Sequence, residues 1–350
     1  KDIACFTIDV DGGEGDEIYD DLPYAKKVAK HLNVPLEVIK ISSNEIINDI
    51  EKMVYHLDEP LADPACLNVL YISQLAKKNG IKVLLSGAGG DDLLTGYRRH
   101  RAVKYDHYLS RIPLYVRKKI ESYSLNINQN STLKRRIIKL LKGLSLQGNA
   151  RIANYFIWAP PGIPTNLYSN EMLESIKNYN PMDVLIKFLD DFPANLSSIE
   201  KILLLEQRFF LADHNLIYTD KMSMAAGVEV RVPFLDKNFV EFCSQIDHRF
   251  KQRGSVGKWI LKKAMAPYLP REIIYRPKTG FGAPIRKWVK NDLKDYIYIM
   301  LSEVNIRKRN IFDYKEIQKL IYYNKKGYID ASYIIFSILC LEIWFQQHID

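Results

Sequence analysis

The sequence predicts an α/β protein: a parallel-sheet layer over residues 1–97, followed by a mainly helical region over residues 98–350. Three observations lead there. Strand and helix signals alternate through the first third of the chain, the pattern of parallel strands joined by crossover helices and covered on their faces. Beyond Tyr97 strand signals nearly vanish, and apolar residues recur at helical spacing. The composition is ordinary for a globular chain: of 350 residues, 47% are hydrophobic and 26% charged, which disfavours disorder, collagen and coiled coil.

The elements follow in order. Ile3 to Val10 is rich in β-branched and apolar residues and ends in the turn cluster Asp11-Gly12-Gly13, so it reads as a strand. Asp21 to His31 has apolar residues at Leu22, Ala25, Val28, Ala29 and Leu32, a helical stripe. Leu36 to Ile41 is a second strand. Ser42 and Glu45 make a capping-box pattern before a helix with Ile46, Ile47, Ile50, Val54 and Leu57 on one side. A further helix spans about Leu67 to Lys78, and Lys82 to Leu85 is a third strand. Ligands of such sheets bind beyond the carboxyl ends of the strands, so functional residues are expected after Val10, Ile41 and Leu85. In the second region, helices are expected over Leu133 to Leu144, Ile199 to Ala212 with Ser197 and Glu200 as its box, Lys258 to Ala266, and Tyr333 to Phe345. Asn126 to Thr132 and Pro160 to Asn170 read as loops.

Four cysteines (Cys5, Cys66, Cys243, Cys340) lack Cys-x-x-Cys spacing, which argues against a disulfide framework or zinc site and for a reducing, cytoplasmic setting. The apolar run from Tyr333 to Leu341 falls short of the roughly 18 residues that span a bilayer. The formal net charge of +9 points to an anionic partner. The excess is local: Arg98 to Arg151 holds 14 Lys and Arg against 2 Asp and Glu.

Four segments carry chemistry. The first is Ser86-Gly87-Ala88-Gly89-Gly90-Asp91-Asp92 after the third strand. Its glycines let backbone N–H groups converge on a phosphate. It is neither Gly-x-Gly-x-x-Gly nor a Walker A loop, since no Gly-Lys-Ser/Thr follows. Carboxylates beside phosphate call for a divalent cation, and Mg²⁺ held by one or two carboxylates plus phosphate oxygens meets that need. The other reading is a turn in which Asp91 or Asp92 caps the next helix. The second is Asp58-Glu59-Pro60 through Asp63-Pro64, with three acids in six positions; Asp63-Pro64 is equally a helix start. The third runs from Tyr218 through Asp220, Lys221 and Ser223 to Glu229, Arg231 and Asp236, and reads equally as a salt-bridged structural segment. The fourth is Gly257-Lys258, followed by Arg276 to Pro284, where a fixed cation near a Gly-rich loop suits a phosphate-bearing transition state. Lys262 and Lys263 belong on a solvated helix face.

In this order the segments resemble the synthetase domain of the glutamine-hydrolysing asparagine synthetase family, with β-lactam synthetase-like relatives. The resemblance covers about residues 3 to 290. It rests on Phe6-Thr7-Ile8, Asp58 to Pro64, Ser86 to Asp91, Gly96-Tyr97, Asp220 to Ser223, Glu229 to Asp236, Gly257-Lys258 and Lys278 to Pro284. It implies an ATP-pyrophosphatase fold, of the adenine-nucleotide α-hydrolase-like type, with ATP and Mg²⁺ as cofactors. It implies adenylation of a small carboxylate, aspartate in the asparagine synthetases, and attack by ammonia from glutamine. Asp91 is then the Mg²⁺ ligand and Lys258 stabilises the pyrophosphate charge. Ser86, Gly87, Gly89 and Gly90 lie against the nucleotide and Ile8 lines the adenine site. Asp58, Glu59, Tyr97, Asp220 and Lys221 are the substrate-binding candidates.

Two departures accompany the resemblance. The family's Ser-Gly-Gly-x-Asp-Ser loop, whose Asp is a second Mg²⁺ ligand, normally precedes the strand at Ile3, and a glutaminase domain with an N-terminal Cys normally lies on the same chain. The 350 residues are therefore expected to be the downstream part of a longer synthetase. Ala88 stands where many members carry an acidic residue. That leaves open another carboxylate, such as a sugar acid in surface-polysaccharide synthesis, or a non-catalytic pseudoenzyme. Nucleic acid is disfavoured as a partner, because Asp220 to Asp236 and Lys278 to Pro284 fit the amide-forming branch better. A homo-oligomer stays open.

Overall fold

The computed structural model describes residues 3–10, 21–41, 46–125, 127, 132–157, 166–276 and 283–350. The turn at Asp11 to Gly13, the Ser42–Glu45 capping box, most of the loop predicted from Asn126 to Thr132 and Lys278 to Gly282 lie outside these residues.

Strand β1 (Cys5–Val10) runs into helix α1 (Leu22–Leu32) and then β2 (Leu36–Ile41). The two strands pair in parallel, with Ile8 opposite Ile39. Helix α1 stops at Asn33, which takes the left-handed conformation at φ 53° and returns its N–H to the Ala29 and Lys30 carbonyls. Helices α2 (Ile46–Leu57) and α3 (Ala65–Lys78) follow, then β3 (Val83–Leu85) and the short α4 (Gly90–Leu94). Among the described residues the strands do not form one sheet. β3 pairs instead, also in parallel, with β4 (Glu229–Arg231), far along the chain. The β4 segment escaped sequence reading because three residues are too few to show a period of two, and its Glu229 and Arg231 read as a salt bridge. They do pair, at 2.8 Å, as residues two apart on one strand face should. The expectation of covered strand faces fails at β3: Leu85 is 74% exposed, since a pair of three-residue strands cannot shield both its faces.

After α5 (Arg98–Val103), short helices make up most of the described residues between 106 and 190. The helix expected from Ile199 to Ala212 starts as predicted. Ser197 Oγ accepts from the Glu200 N–H at 3.3 Å, and Glu200 Oε2 accepts from the Ser197 N–H at 2.8 Å. It then continues well past Ala212 as one rod: α6 (Ser198–Leu205), a π-helical stretch over Glu206–Leu216, and α7 (Ile217–Ala225). Helix α8 (Lys237–Gln245), α9 (Trp259–Ala264), α10 (Tyr314–Lys326) and α11 (Ser332–His348) complete the elements used below.

The main core joins both regions. Ile50, Met53 and Leu57 of α2 and Leu67 and Leu70 of α3 share one buried cluster with Ile335, Phe336, Leu339 and Ile343 of α11. Helix α11 is apolar nearly all round because it is a core helix. Among the described residues no helix is long and apolar enough to cross a membrane. A smaller cluster matters more for function: Leu93 and Leu94 of α4 are buried with Cys243 of α8, against Ile260 and Leu261 of α9. Truncating such a leucine to alanine costs about 2–5 kcal/mol. That packing leaves α4 little freedom to rotate. All four cysteines are unpaired, and Cys66, Cys243 and Cys340 are buried, as a small-hydrophobe role predicts.

Part of the basic excess after Tyr97 is spent internally. Arg117 and Arg151 are buried. Arg117 donates to the Ile112 and Leu144 carbonyls, and Arg151 pairs with Asp106 at 3.1 Å.

Candidate active site

The loop after β3 is anchored at its start: the Ser86 N–H donates to the Arg231 carbonyl at 2.8 Å, continuing the ladder to β4. Ser86 Oγ then accepts from the Ala88 N–H at 3.2 Å. Gly89 turns the chain into α4 at φ 87°, where a side chain would strain the backbone. Gly87 faces open space, with nothing within 4 Å of where a Cβ would sit. Gly89 and Gly90 do not: they are buried, and their missing Cβ positions face Leu235 and Phe234. Of the three glycines assigned to the nucleotide, Gly87 has open space on its side-chain side, and Gly89 and Gly90 let Pro233–Leu235 pack closely on the loop.

Asp91 and Asp92 do not cap α4; they form its first turn. The Asp91 Oδ1 atom lies 2.7 Å from Lys258 Nζ, and both side chains keep access to solvent, 20% and 27% respectively. Two glycines make this pair possible. A Cβ on Gly96 would sit 1.4 Å from Asp91 Oδ1, and one on Gly257 would sit 2.0 Å from the Thr95 carbonyl oxygen. The chain at 257–258 thus runs directly against 94–95, and the Lys258 N–H donates to the Leu94 carbonyl at 2.9 Å. Thr95 and Lys258 both hold left-handed backbone, φ 67° and 52°. Non-glycine residues in that region cost about 1–3 kcal/mol each and cluster at functional sites.

The sequence matches the family described as Asparagine synthase over residues 1–346. The chain belongs to the asparagine synthase family. It is 28% identical over 338 residues to "Asparagine synthetase [glutamine-hydrolyzing] 1" of Bacillus subtilis (strain 168), covering 95% of this chain and 51% of that protein. It is 25% identical over 318 residues to a "Putative asparagine synthetase [glutamine-hydrolyzing]" of Mycobacterium bovis, covering 88% and 46%. It is 22% identical over 343 residues to "Amidase chyE" of Penicillium rubens, covering 92% and 49%. The chain spans about half the length of these curated relatives.

Within this asparagine synthase-family chain, a second group of predicted residues meets elsewhere. Lys221 Nζ lies 2.8 Å from Asp58 Oδ2 and 2.6 Å from the Leu57 carbonyl oxygen. Asp58 holds left-handed backbone at φ 61°, its carbonyl accepts from the Trp344 indole at 2.6 Å, and the hydrogen bond from Lys221 holds its carboxyl below the ordinary value. Glu59 and Asp220 flank this pair in sequence and are exposed. Asp63 starts α3, accepting from the Ala65 N–H at 2.8 Å, and also takes His214 Nε2 at 2.8 Å. Ile8 lies in β1 and packs against the main core.

The long rod over residues 198–225 connects the two groups, and its role was invisible in sequence. His214 stacks on Phe210 with ring centroids 5.1 Å apart, and Phe210 meets Tyr97 edge-on at 5.4 Å. Asn215 Nδ2 donates to the Tyr97 hydroxyl at 3.3 Å, and that hydroxyl lies 3.4 Å from Asp92 Oδ2. Glu206, fully buried, takes both Arg99 and His100. Burial would raise the Glu206 pKa, but the hydrogen bonds from Arg99 and His100 outweigh it and hold the carboxyl below its ordinary value. The one sequence signal for these residues was spacing: Glu206, Phe210 and His214 recur every four positions.

Asp92 is 1% exposed, and its Oδ1 is buried without a hydrogen-bond partner. Burial, then the charges of Glu206 and Asp91, push its pKa up to about 7. The unfolded chain ionises Asp92 from its ordinary 3.8 upward, whereas the folded chain does so only near 7, so Asp92 subtracts stability as pH rises across that interval. Asp92→Asn is therefore expected to stabilise the ligand-free protein at about pH 8 by ~2–4 kcal/mol and to leave it nearly unchanged at about pH 4. Denaturant titrations at both pH values check this, and an equal loss at both would refute it.

Among the described residues no group of three or more His, Cys, Asp or Glu side chains is arranged to hold a metal ion. Asp91 alone presents a carboxylate at the loop, backed by Lys258. One carboxylate fits Mg²⁺ that arrives with nucleotide phosphates and takes its remaining ligands from phosphate and water.

Proposed function

We propose that this chain is the ATP-dependent, carboxylate-activating part of an amide synthetase, with a fold of the ATP-pyrophosphatase type. The observation that carries this reading is the Asp91–Lys258 pair, 2.7 Å apart at the loop that follows a parallel strand, in a chain of this family. A carboxylate is a poor electrophile. Its oxygen attacks the α-phosphorus of ATP, pyrophosphate leaves, and the acyl-adenylate that forms has AMP as a good leaving group. The amine nitrogen then attacks the carbonyl carbon, loses a proton and expels AMP.

Lys258 stands where a fixed positive charge is worth most, beside the oxygens that gain charge as pyrophosphate departs. Mg²⁺ bound by Asp91 and the phosphates supplies further charge neutralisation. Ser86 and Gly87 offer an open backbone surface for the phosphates. Asp58 and Lys221, a pair held by strained backbone and by Trp344, are assigned to the substrates, as are Glu59 and Asp220 beside them in sequence and Tyr97 at Asp92, with Ile8 assigned to the adenine. On this reading the acid is aspartate and the amine is ammonia from glutamine, which relatives named asparagine synthetase (glutamine-hydrolyzing) support by likeness.

A second reading, a different carboxylate, is favoured by Ala88, which removes a carboxylate from the loop beside Asp91. ATP–pyrophosphate exchange by the natural polypeptide, run with aspartate and a panel of other acids, tests both. Exchange with aspartate is expected. Exchange with another acid alone selects the second reading, and no exchange with any acid sinks both.

A further inference from the structure

We propose that Glu206 is a positioning residue of the candidate site: by clamping Arg99 and His100 it fixes Tyr97 beside Asp92, and so holds the first turn of α4 with Asp91 aimed at Lys258. The inference rests on the reading above for its catalytic consequence, but its structural content is independent of that reading.

Glu206 is 0% exposed. Its Oε1 and Oε2 accept from Nε and Nη2 of Arg99, a bidentate fork, and Oε1 also accepts from His100 Nε2 at 2.8 Å. The other imidazole nitrogen, Nδ1, accepts from the Tyr97 backbone N–H at 3.3 Å. His100 is itself fully buried, so its ring is a rigid spacer between Glu206 and the Tyr97 main chain. The Arg99 guanidinium, 13% exposed, is confined by three aromatic rings. Its central carbon lies 4.7 Å from the Tyr97 ring centroid, 4.7 Å from that of Phe156 and 4.2 Å from that of Phe210. Tyr97 is thus held three ways: by its N–H, by its ring face and by its hydroxyl, which Asn215 and Asp92 share. Gly96, the residue before it, donates its N–H to the Asp91 carbonyl at 2.9 Å, and the missing Gly96 side chain is where the Asp91 carboxylate lies.

A buried ion cluster of this kind is not explained by stability. Desolvating the charges costs several kcal/mol, and apolar residues of equal volume often do as well or better. What a bidentate Arg–carboxylate fork adds is direction. The cluster sits where direction matters, one turn from the pair assigned to chemistry. It is also anchored on a π-helical stretch, and such stretches are frequent at functional sites.

The experiment uses the natural polypeptide with Glu206→Gln, Tyr97→Phe, the double variant and Arg99→Lys. Two readouts are taken: ATP–pyrophosphate exchange kinetics, and amide hydrogen exchange over residues 90–97. Misplacement by ~1 Å away from the reacting atoms can cost about 100-fold, so Glu206→Gln is expected to lower the exchange kcat by about 10- to 100-fold, with KM for ATP within about twofold. Amides 90–97 are expected to exchange at least about tenfold faster, with the α2, α3 and α11 amides unchanged. The double variant is expected to be no worse than the stronger single one, because both act through one linkage. Arg99→Lys keeps the charge and loses the fork, so it should reproduce the faster exchange over 90–97, and it decides the matter if Glu206→Gln does not fold. A folded Glu206→Gln protein with wild-type kcat and unchanged protection over 90–97 would overturn the inference, as would multiplicative effects in the double variant. If the parent protein exchanges with no acid, the proposed function fails, and hydrogen exchange alone then decides the role of Glu206.

Discussion

Lys258→Ala is expected to lower ATP–pyrophosphate exchange by about 1,000-fold, the upper range for removing one preorganised charge-stabilising group. The fold should survive. Lys258 is not part of a core cluster, and the side chains of its pair with Asp91 retain 27% and 20% access to solvent, with Asp91 Oδ1 itself buried. Losing one partner of such a pair costs about 1–3 kcal/mol, a fraction of the stability of a domain this size. The backbone contact that fixes the position, from the Lys258 N–H to the Leu94 carbonyl, does not depend on the side chain. Alanine and lysine also meet the left-handed conformation at φ 52° with the same Cβ, so the strain is unchanged. A large loss of exchange in a protein that still folds and melts only a few degrees lower is thus the expected pairing. Exchange within about tenfold of the parent would remove Lys258 from the chemistry.

Gly96→Ala is expected to be as damaging by a different route. The new Cβ would fall 1.4 Å from Asp91 Oδ1, so the carboxylate must leave its place beside Lys258. Overpacking of this type costs about 1–3 kcal/mol, and a displaced Asp91 should reduce exchange by at least about 100-fold. The apparent Mg²⁺ requirement should rise with it if Asp91 holds the cation as proposed. Gly87→Ala makes the contrast, because nothing lies within 4 Å of its Cβ position. It should leave the melting temperature alone and raise KM for ATP if phosphates approach there. Equal melting temperatures and equal Mg²⁺ dependence for Gly96→Ala and the parent would show that Asp91 tolerates the methyl, and the account of the glycine would be wrong.

The parts of the fold that were legible in sequence are those set by local forces. The strands at Cys5–Val10 and Leu36–Ile41, the helices of the first region and the Ser197–Glu200 box all follow from periodicity, turn chemistry and capping. Lys258 was readable as a fixed cation near a Gly-rich segment, and Asp91 as a carboxylate calling for Mg²⁺ beside phosphate; that the two would pair was not. What failed was long-range. The pairing of β3 with β4, rather than with β1 or β2, has no local signature, because Glu229–Arg231 is three residues long and alternately charged. The rod over 198–225 was cut short at Ala212, since polar residues break an apolar stripe even when they point into a polar interior. Nor does the spacing of Gly89 and Gly90 show that Leu235 and Phe234 pack against their Cβ side.

By itself the sequence determined the alternation that makes a parallel α/β layer, the glycines that let main chains approach, and the order of charged motifs that marks the family. Only the tertiary structure decided which charges meet. Asp91 reaches Lys258, Asp58 reaches Lys221, and Glu206 reaches Arg99 and His100. The physical reason is that an ion pair between distant residues is set by which backbones can approach, here through Gly96 and Gly257. It is also set by what a buried carboxylate must find when water is removed. Neither condition is written in the spacing of the residues that satisfy it.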